Sequence, residues 1–317
     1  MSKVSPPLHV STSVGAIYQG DALRLLDQVP DQSVSLILSS PPYNIGKSYE
    51  RGMFKSLEAY RVWMDKFIGK LLNKVKPDGH ICWQVGNYVR DGALVPLDYL
   101  FFPMFEKRGC LLRNRIIWRY NFGLHAQRRL SGRYETLLWF SRSADYEFNL
   151  DPIRVPQLYP GKRHSKGKGE RAGQPSGNPL GKNPSDFWEF DPSLAFDGKP
   201  VWDIPNVKAN HPEKTDHPCQ FPNELADRCI LAMTSECDLV LDPFAGAGTT
   251  VVCAEGRGRV GVGFELDASY AEQANQRLLL ARLGHLPIRH SGKGPREPKA
   301  GERVSAVPEE WLLQAAE

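Results

Sequence analysis

Leu239-Val240-Leu241-Asp242-Pro243-Phe244-Ala245-Gly246-Ala247-Gly248-Thr249-Thr250 is a buried-strand run that ends at an acid, turns through small residues and enters a helix. Glycines at such a turn let a ligand approach the backbone, and the start of the helix offers N–H groups with no internal partner. In an open parallel sheet, ligands sit beyond the carboxyl ends of the strands, where this turn falls. The pattern is not the dinucleotide fingerprint Gly-x-Gly-x-x-Gly, because Thr249-Thr250-Val251 follows Gly248. Nor is it a phosphate-binding loop, since no Gly-Lys-Ser/Thr occurs. A glycine turn alone also serves plain strand-to-helix packing. The next strand-like run, 259–264, ends at Glu265, an acid placed to accept bonds from ribose hydroxyls. By itself it could equally be an exposed strand-end carboxylate. The two signals together point to a nucleoside-type cofactor.

Strand and helix patterns alternate on both sides of this stretch. Leu225, Ala226, Cys229, Ile230 and Met233 have helical spacing ahead of the strand at 238–241. Helices are predicted at 249–255 and 268–283, the second capped by Asp267. Toward the N-terminus, 16–18 is β-prone, 22–29 helix-like, and 34–38 a buried strand stopped by Pro41-Pro42. From Leu57 the apolar positions Tyr60, Trp63, Met64, Phe67, Ile68, Leu71, Leu72 and Val75 draw one helical stripe. Pro77-Asp78-Gly79 turns the chain into a strand at 81–85. A helix over 96–107 and strands at 111–118 and 136–140 follow. There is no internal repeat. This alternation predicts an α/β fold, a Rossmann-like and mainly parallel sheet with helices on both faces.

A chain of 317 residues has room for one large domain, or for one domain with a sizeable insert. Lys plus Arg is 40 against 36 acids, a formal net charge of +4, which excludes a histone-like binder but allows a local basic surface. Such a surface is concentrated between Pro152 and Ser185. There Arg154, Lys162, Arg163, Lys166, Lys168, Arg171 and Lys182 face one acid, Glu170, in a Gly-, Pro- and Ser-rich stretch without period. It reads as a functional loop region or, in the plainer alternative, a solvated linker. The six cysteines are scattered with no Cys-x-x-Cys, so they read as reduced core thiols, with neither a disulfide frame nor a zinc site. No apolar run approaches the roughly 20 residues of a membrane span. Met1-Ser2-Lys3-Val4-Ser5-Pro6-Pro7 lacks the apolar stretch of a signal peptide. The expected compartment is the cytoplasm.

The second anchor is Leu36-Ile37-Leu38-Ser39-Ser40-Pro41-Pro42-Tyr43-Asn44. Two prolines fix φ and hold a stiff, extended segment without N–H groups at either position. Such a segment aims a carbonyl and a hydroxyl at one point beside an aromatic face. That suits a planar group bearing an NH2, although a rigid turn leaving a core strand needs the same residues.

Ser40-Pro41-Pro42-Tyr43 and Asp242-Pro243-Phe244-Ala245-Gly246-Ala247-Gly248 together resemble the amino-group DNA methyltransferases that use S-adenosylmethionine. The order, catalytic loop first, basic segment second and cofactor loop third, resembles the circularly permuted β group of that family. The resemblance runs from about Tyr18 to Leu283. It implies that Asp21 contacts the adenine of the cofactor and that Glu265 holds the ribose. Ser39, Asp242, Phe244, Ala245, Gly246, Gly248 and Thr249 would line the methionine and adenosine pocket. Gln220 and Phe221, within His217-Pro218-Cys219-Gln220-Phe221-Pro222, would close over its methionine end. It also implies a catalytic half at 14–124 and an irregular, basic target-recognition region at 125–215, whose first strand, 134–140, remains in the core sheet. A cofactor half at 216–284 and a loosely held tail at 285–317 complete the division.

The implied chemistry is direct transfer of a methyl group from S-adenosylmethionine to an exocyclic amine, leaving S-adenosylhomocysteine, with no metal and no cysteine nucleophile. Ser40 and the Pro41 carbonyl would accept N–H bonds, Pro42 would stiffen the loop, and Tyr43 would stack on the base. Ser40 has no neighbouring His or Lys in the loop to make it a strong base. The target must be flipped out of double-stranded DNA, with Arg128, Arg129, Arg133, Lys162, Arg163, Lys166 and Lys168 as candidate phosphate contacts. Ser-Pro-Pro-Tyr is the more usual form in N4-cytosine enzymes and Asp-Pro-Pro-Tyr in N6-adenine enzymes. The expectation is therefore a site-specific N4-cytosine DNA methyltransferase of a restriction-modification pair, with N6-adenine as the alternative. A catalytically idle DNA-binding module would need one loop broken, and a small-molecule or RNA methyltransferase would not need the basic insert. Candidate partners are a second copy of the chain and a cognate restriction endonuclease acting on the same site; no membrane is expected.

Overall fold

The computed structural model describes residues 10–43, 56–90, 92–120, 125–155, 163–164, 172–174, 176–188, 207 and 211–288. Their main sheet has eight strands. Numbered in chain order, they lie side by side as β1 (Ala16–Gln19), β10 (Val260–Glu265), β9 (Leu239–Asp242), β2 (Val34–Ser39), β3 (Val75–Val85), β7 (Tyr134–Ser141), β6 (Leu111–Arg119) and β8 (Phe187–Trp188). Pairing is parallel from β1 across to β3, antiparallel at β3–β7 and β7–β6, and parallel again at β6–β8. The mainly parallel α/β sheet is thus present, with an antiparallel step on one side. Two strands from the C-terminal part, β9 and β10, sit between β1 and β2 from the N-terminal part, so the two ends of the sequence build one sheet.

Alternation along the strands decides which face each helix covers. On β2, Val34 and Ile37 enter one core while Leu36 and Leu38 enter the other. On β7, Leu138 and Phe140 go with the first, and Leu137 and Trp139 with the second. The first core is closed by α1 (Ala22–Leu25), α2 (Leu57–Leu72) and α3 (Leu97–Glu106), and the second mainly by α4 (Asn223–Met233). A third cluster packs α5 (Thr249–Gly256) and α6 (Ala268–Arg282) around Ile17 of β1. Helix α2 forms where the stripe predicts it: Ser56 caps it by accepting from the Ala59 N–H, and Tyr60, Met64, Phe67, Ile68, Leu71 and Leu72 are buried. Each such apolar side chain contributes about 2 kcal/mol by leaving water.

Several elements differ from the sequence reading. The helix expected over 22–29 is a single α-turn followed by a 3-10 turn at Leu26–Gln28. Val29 precedes Pro30 and is held extended at φ −82° and ψ 129°. Strand β3 pairs from Val75, and Val34↔Val75 and Leu36↔His80 leave Pro77-Asp78-Gly79 as a bulge inside the ladder. An unforeseen hairpin joins β4 (Asn87–Arg90) to β5 (Ala93–Pro96), and Gly92 at its turn takes φ +81°. The basic segment contributes a 3-10 turn at Asp151–Ile153 and a bridge from Val155 to Lys182. The edge strand β8, also unforeseen, follows it. Of the tail, only 285–288 lies among the described residues. Among those residues no helix is long and apolar enough to cross a membrane.

Candidate active site

Strands β2 and β9 are direct neighbours, with Leu36 opposite Val240 and Ile37 opposite Leu241. Their tips therefore open side by side. The loop after β2 carries Ser40, Pro41, Pro42 and Tyr43, and the loop after β9 carries Phe244, Ala245 and Gly246. Both line one cleft of about 400 Å³. Asp21, Gln220, Phe221, Thr249 and Glu265 stand on the same walls. Three expected residues do not. Ser39 and Asp242 are buried behind the wall, where Ser39 Oγ donates to Asp242 Oδ1 at 2.6 Å. Gly248 lies beneath it as the left-handed N-cap of α5.

The glycine-loop half of the cleft is acidic. Asp21 caps α1 by accepting from the Leu23 N–H at 2.8 Å. Glu265 Oε2 accepts from the Gly246 N–H at 2.9 Å and its Oε1 from the Asp267 N–H at 2.8 Å, so the carboxylate is clamped across the loop. Burial pushes the Glu265 carboxyl above its ordinary value, and these N–H bonds only partly offset that. Asp267 is also on the wall, and no Lys or Arg is among the described lining residues. A phosphate-bearing ligand would find carboxylates and no Lys or Arg among the described lining residues, whereas a cationic one would find partners. Phe244 lies 6.2 Å from Trp63 and 4.8 Å from Phe67, ring centroid to centroid, so its face is fixed by α2. His217 packs edge-on to Tyr270 at 4.8 Å and accepts the Cys219 N–H on Nδ1. Burial takes its pKa down to about 4, leaving a neutral ring over Gly246.

The other half holds a chain of hydrogen bonds. Ser40 Oγ donates to Tyr43 Oη at 3.1 Å, and Tyr43 Oη donates to Glu135 Oε2 at 3.2 Å. Gln84 Nε2, from β3, donates to the same carboxylate oxygen at 2.7 Å. The Tyr60 hydroxyl on α2 donates to the Pro42 carbonyl at 2.7 Å and pins the loop from below. The Pro41-Pro42 segment is thus held stiff at the cleft mouth with Ser40 beside it.

Of the candidate DNA contacts, Arg128 and Arg129 are exposed, and none of those among the described residues lines the cleft. Arg163 donates from Nη1 to the Gly173 carbonyl at 2.8 Å. Lys162, Lys166 and Lys168 lie outside the described residues. Arg133 shares a shallow depression at the β6–β8 edge with Arg115, Arg119, Tyr134 and Phe187. The sequence reading missed Trp63, which it placed in a core stripe, and Glu135, to which it gave no role beyond the start of a core strand. Neither position carries a signal of its own, because each reaches the site only through the fold.

A family model described as DNA methylase (N6_N4_Mtase) matches residues 34–276. The chain is 44% identical over 276 residues to the Type II methyltransferase M.BglII of Bacillus subtilis, covering 85% of this chain and 72% of that protein. Its fold matches the structure of PvuII DNA methyltransferase (cytosine-N4-specific), with TM-score 0.62 and 21% identity over 87% of this chain and 94% of that one. It also matches a putative DNA modification methylase of Thermus thermophilus in complex with S-adenosyl-L-methionine, with TM-score 0.57 and 24% identity over 84% and 96%. The chain is a member of the N6/N4 DNA methylase family, the amino-group DNA methyltransferases.

Proposed function

We propose that this DNA methyltransferase moves a methyl group from S-adenosylmethionine to the N4 amine of a cytosine flipped out of duplex DNA. The observation that carries the reading is the meeting, in one cleft, of Ser40-Pro41-Pro42-Tyr43 with an acid-lined glycine loop. S-adenosylmethionine, when bound, supplies the methyl group on a positively charged sulfur. Asp21 and Glu265 offer acceptors for an adenine amine and ribose hydroxyls, Phe244 and Trp63 a flat apolar wall, and the carboxylates a field that suits a sulfonium. Ser40 Oγ and the Pro41 carbonyl accept the two N–H bonds of the target amine and favour the charge that grows on its nitrogen. The Tyr43 ring stacks beside the base, and the fixed loop supplies alignment. Extrusion of the base is required because its amine lies inside the stack.

Ser40, where N6-adenine enzymes more usually carry Asp, supports cytosine. Similarity to a Type II methyltransferase supports a modification role beside a restriction endonuclease. The division proposed is a catalytic half at 14–124, target recognition at 125–215 and a cofactor half at 216–284, with Arg128, Arg129, Arg133 and Arg163 among the phosphate contacts. The test is incubation of the full chain with methyl-labelled S-adenosylmethionine and unmethylated genomic DNA, then mass spectrometry of the nucleosides. Labelled N4-methyldeoxycytidine is expected. Label in N6-methyldeoxyadenosine alone would replace the base but keep the reaction, and label in no nucleoside would overturn the reading.

A further inference from the structure

The hydrogen bonds behind Ser40 have a direction, and a residue outside both loops sets it. Gln84 is 3% exposed on β3, and its Nε2 donates to Glu135 Oε2. The opposite orientation of the amide would set its oxygen against the carboxylate. Glu135 enters from the next strand, where Gln84 pairs with Leu137 and Val85 with Thr136. A carboxylate oxygen accepts and does not donate. The Tyr43 hydroxyl, 3.2 Å from that oxygen, therefore spends its hydrogen on Glu135. Tyr43 Oη then accepts the Ser40 hydrogen at 3.1 Å. With that hydrogen turned inward, Ser40 shows lone pairs to the cleft.

We infer that Glu135 is a positioning residue for methyl transfer. Anchored by Gln84, it orients the hydroxyls of Tyr43 and Ser40 so that Ser40 meets the exocyclic amine only as an acceptor. This rests on the reading that the Ser40 loop receives that amine. As the nitrogen bonds the methyl carbon, the carbon–sulfur bond breaks to leave neutral S-adenosylhomocysteine. The N–H groups on that nitrogen become more acidic and their bond to the Ser40 lone pair strengthens; one of these protons passes to water after transfer. A serine free to point its hydrogen into the cleft would oppose the same charge. Glu135 touches neither substrate in this arrangement, so its effect must pass through Tyr43 and Ser40.

That dependence is what a double-mutant cycle measures. Methyl transfer by the full chain to unmethylated genomic DNA would be compared for wild type, E135A, S40A and the double variant. E135A is expected to lower kcat about 10- to 100-fold, with KM for DNA and cofactor affinity within about 3-fold. E135Q, which keeps an acceptor oxygen, should recover kcat to within about 5-fold of wild type. In the S40A background, E135A should change kcat by less than about 2-fold. An equal loss in both backgrounds, or an unchanged kcat in E135A alone, overturns the inference. Should E135A fail to fold, Gln84→Met loosens the anchor while leaving the carboxylate. It must lower kcat in wild type and be silent on S40A, and an additive loss overturns the inference in the same way. A wild type that transfers no methyl group would overturn the proposed function along with it. An additive cycle in an active enzyme overturns the role of Glu135 alone.

Discussion

Asp242 is 1% exposed, accepts from Ser39 Oγ and the Phe244 N–H on one oxygen, and has no hydrogen-bond partner for Oδ2 among the described residues. Burial pushes its pKa up to about 6, against the pull of those donors. A raised carboxyl pKa stabilises the fold fully below the ordinary value of 3.8, and that contribution is lost as pH rises through 6. Asp242→Asn keeps an acceptor for Ser39 and Phe244 and does not titrate. Relative to wild type it should therefore gain about 2 kcal/mol between about pH 4 and pH 7.5, read from denaturant unfolding without cofactor. Buried His217 acts in the opposite sense in both proteins, so it cancels from the comparison. A flat difference across that range would mean that Asp242 is ionised at little cost. Gly246 sets the second test. It takes φ +50°, and a Cβ there would stand 2.9 Å from His217 Cε1. Gly246→Ala should cost about 1–3 kcal/mol and weaken cofactor binding at least about 10-fold by calorimetry, because His217 must yield. The sequence showed that glycine and an acid belong at these positions. It did not show that Asp242 lies behind the wall, since a strand-end acid reads the same whether its side chain faces ligand or scaffold.

Elements position the site from behind. Helix α6 delivers Arg277, 6% exposed, whose Nη1 donates to the Ala247 carbonyl inside the glycine loop while Nη2 donates to Asn223 Oδ1 at 3.4 Å. Desolvation lowers the Arg277 pKa from its ordinary value, yet the guanidinium remains charged at neutral pH. It ties α6, α4 and the loop together. Arg277→Met fills much of the space but strands two acceptors, so it should lower stability by about 1–3 kcal/mol and weaken cofactor affinity. A melting temperature and an affinity both equal to wild type would rule out that tether. Nothing in the α6 sequence marks Arg277, which reads as one more charge on a half-exposed helix. The stripe of α2 and the β2 and β9 strands were legible because their apolar periodicity is the same force that buries them. The hairpin of β4 and β5 was harder to see. Its sequence carries an Asp-Gly pair, a common turn signal, but the flanking strands are brief and stand outside the main sheet. The edge strand β8 has only two residues, too few for any period to show.

The arrangement of strands across the whole molecule joins these parts. Alternating strand and helix patterns were enough for the α/β class. The likeness of the two loops to a permuted family gave the order of the motifs along the chain but not the order of the strands, because periodicity carries no information about neighbours. In that order β9 and β10 fill the space between β1 and β2, and β1 pairs with β10 along its full length. Removing the C-terminal strands would leave β1 without a partner and β2 with one open edge. The catalytic loop leaves β2 and the glycine loop leaves β9, so the cleft exists only while that central pair is closed. Opening of the site and opening of the sheet are then the same event. Hydrogen exchange should accordingly give the slowest amides of β2, β3, β9 and β10 one common opening free energy. Saturation with S-adenosylmethionine at about 100 times its Kd should raise all of them together by about 2.7 kcal/mol. Protection gained by β9 and β10 alone, with β2 and β3 unchanged, would show two halves that open separately. In that case closing the sheet would not be what brings Ser40 to the methyl donor.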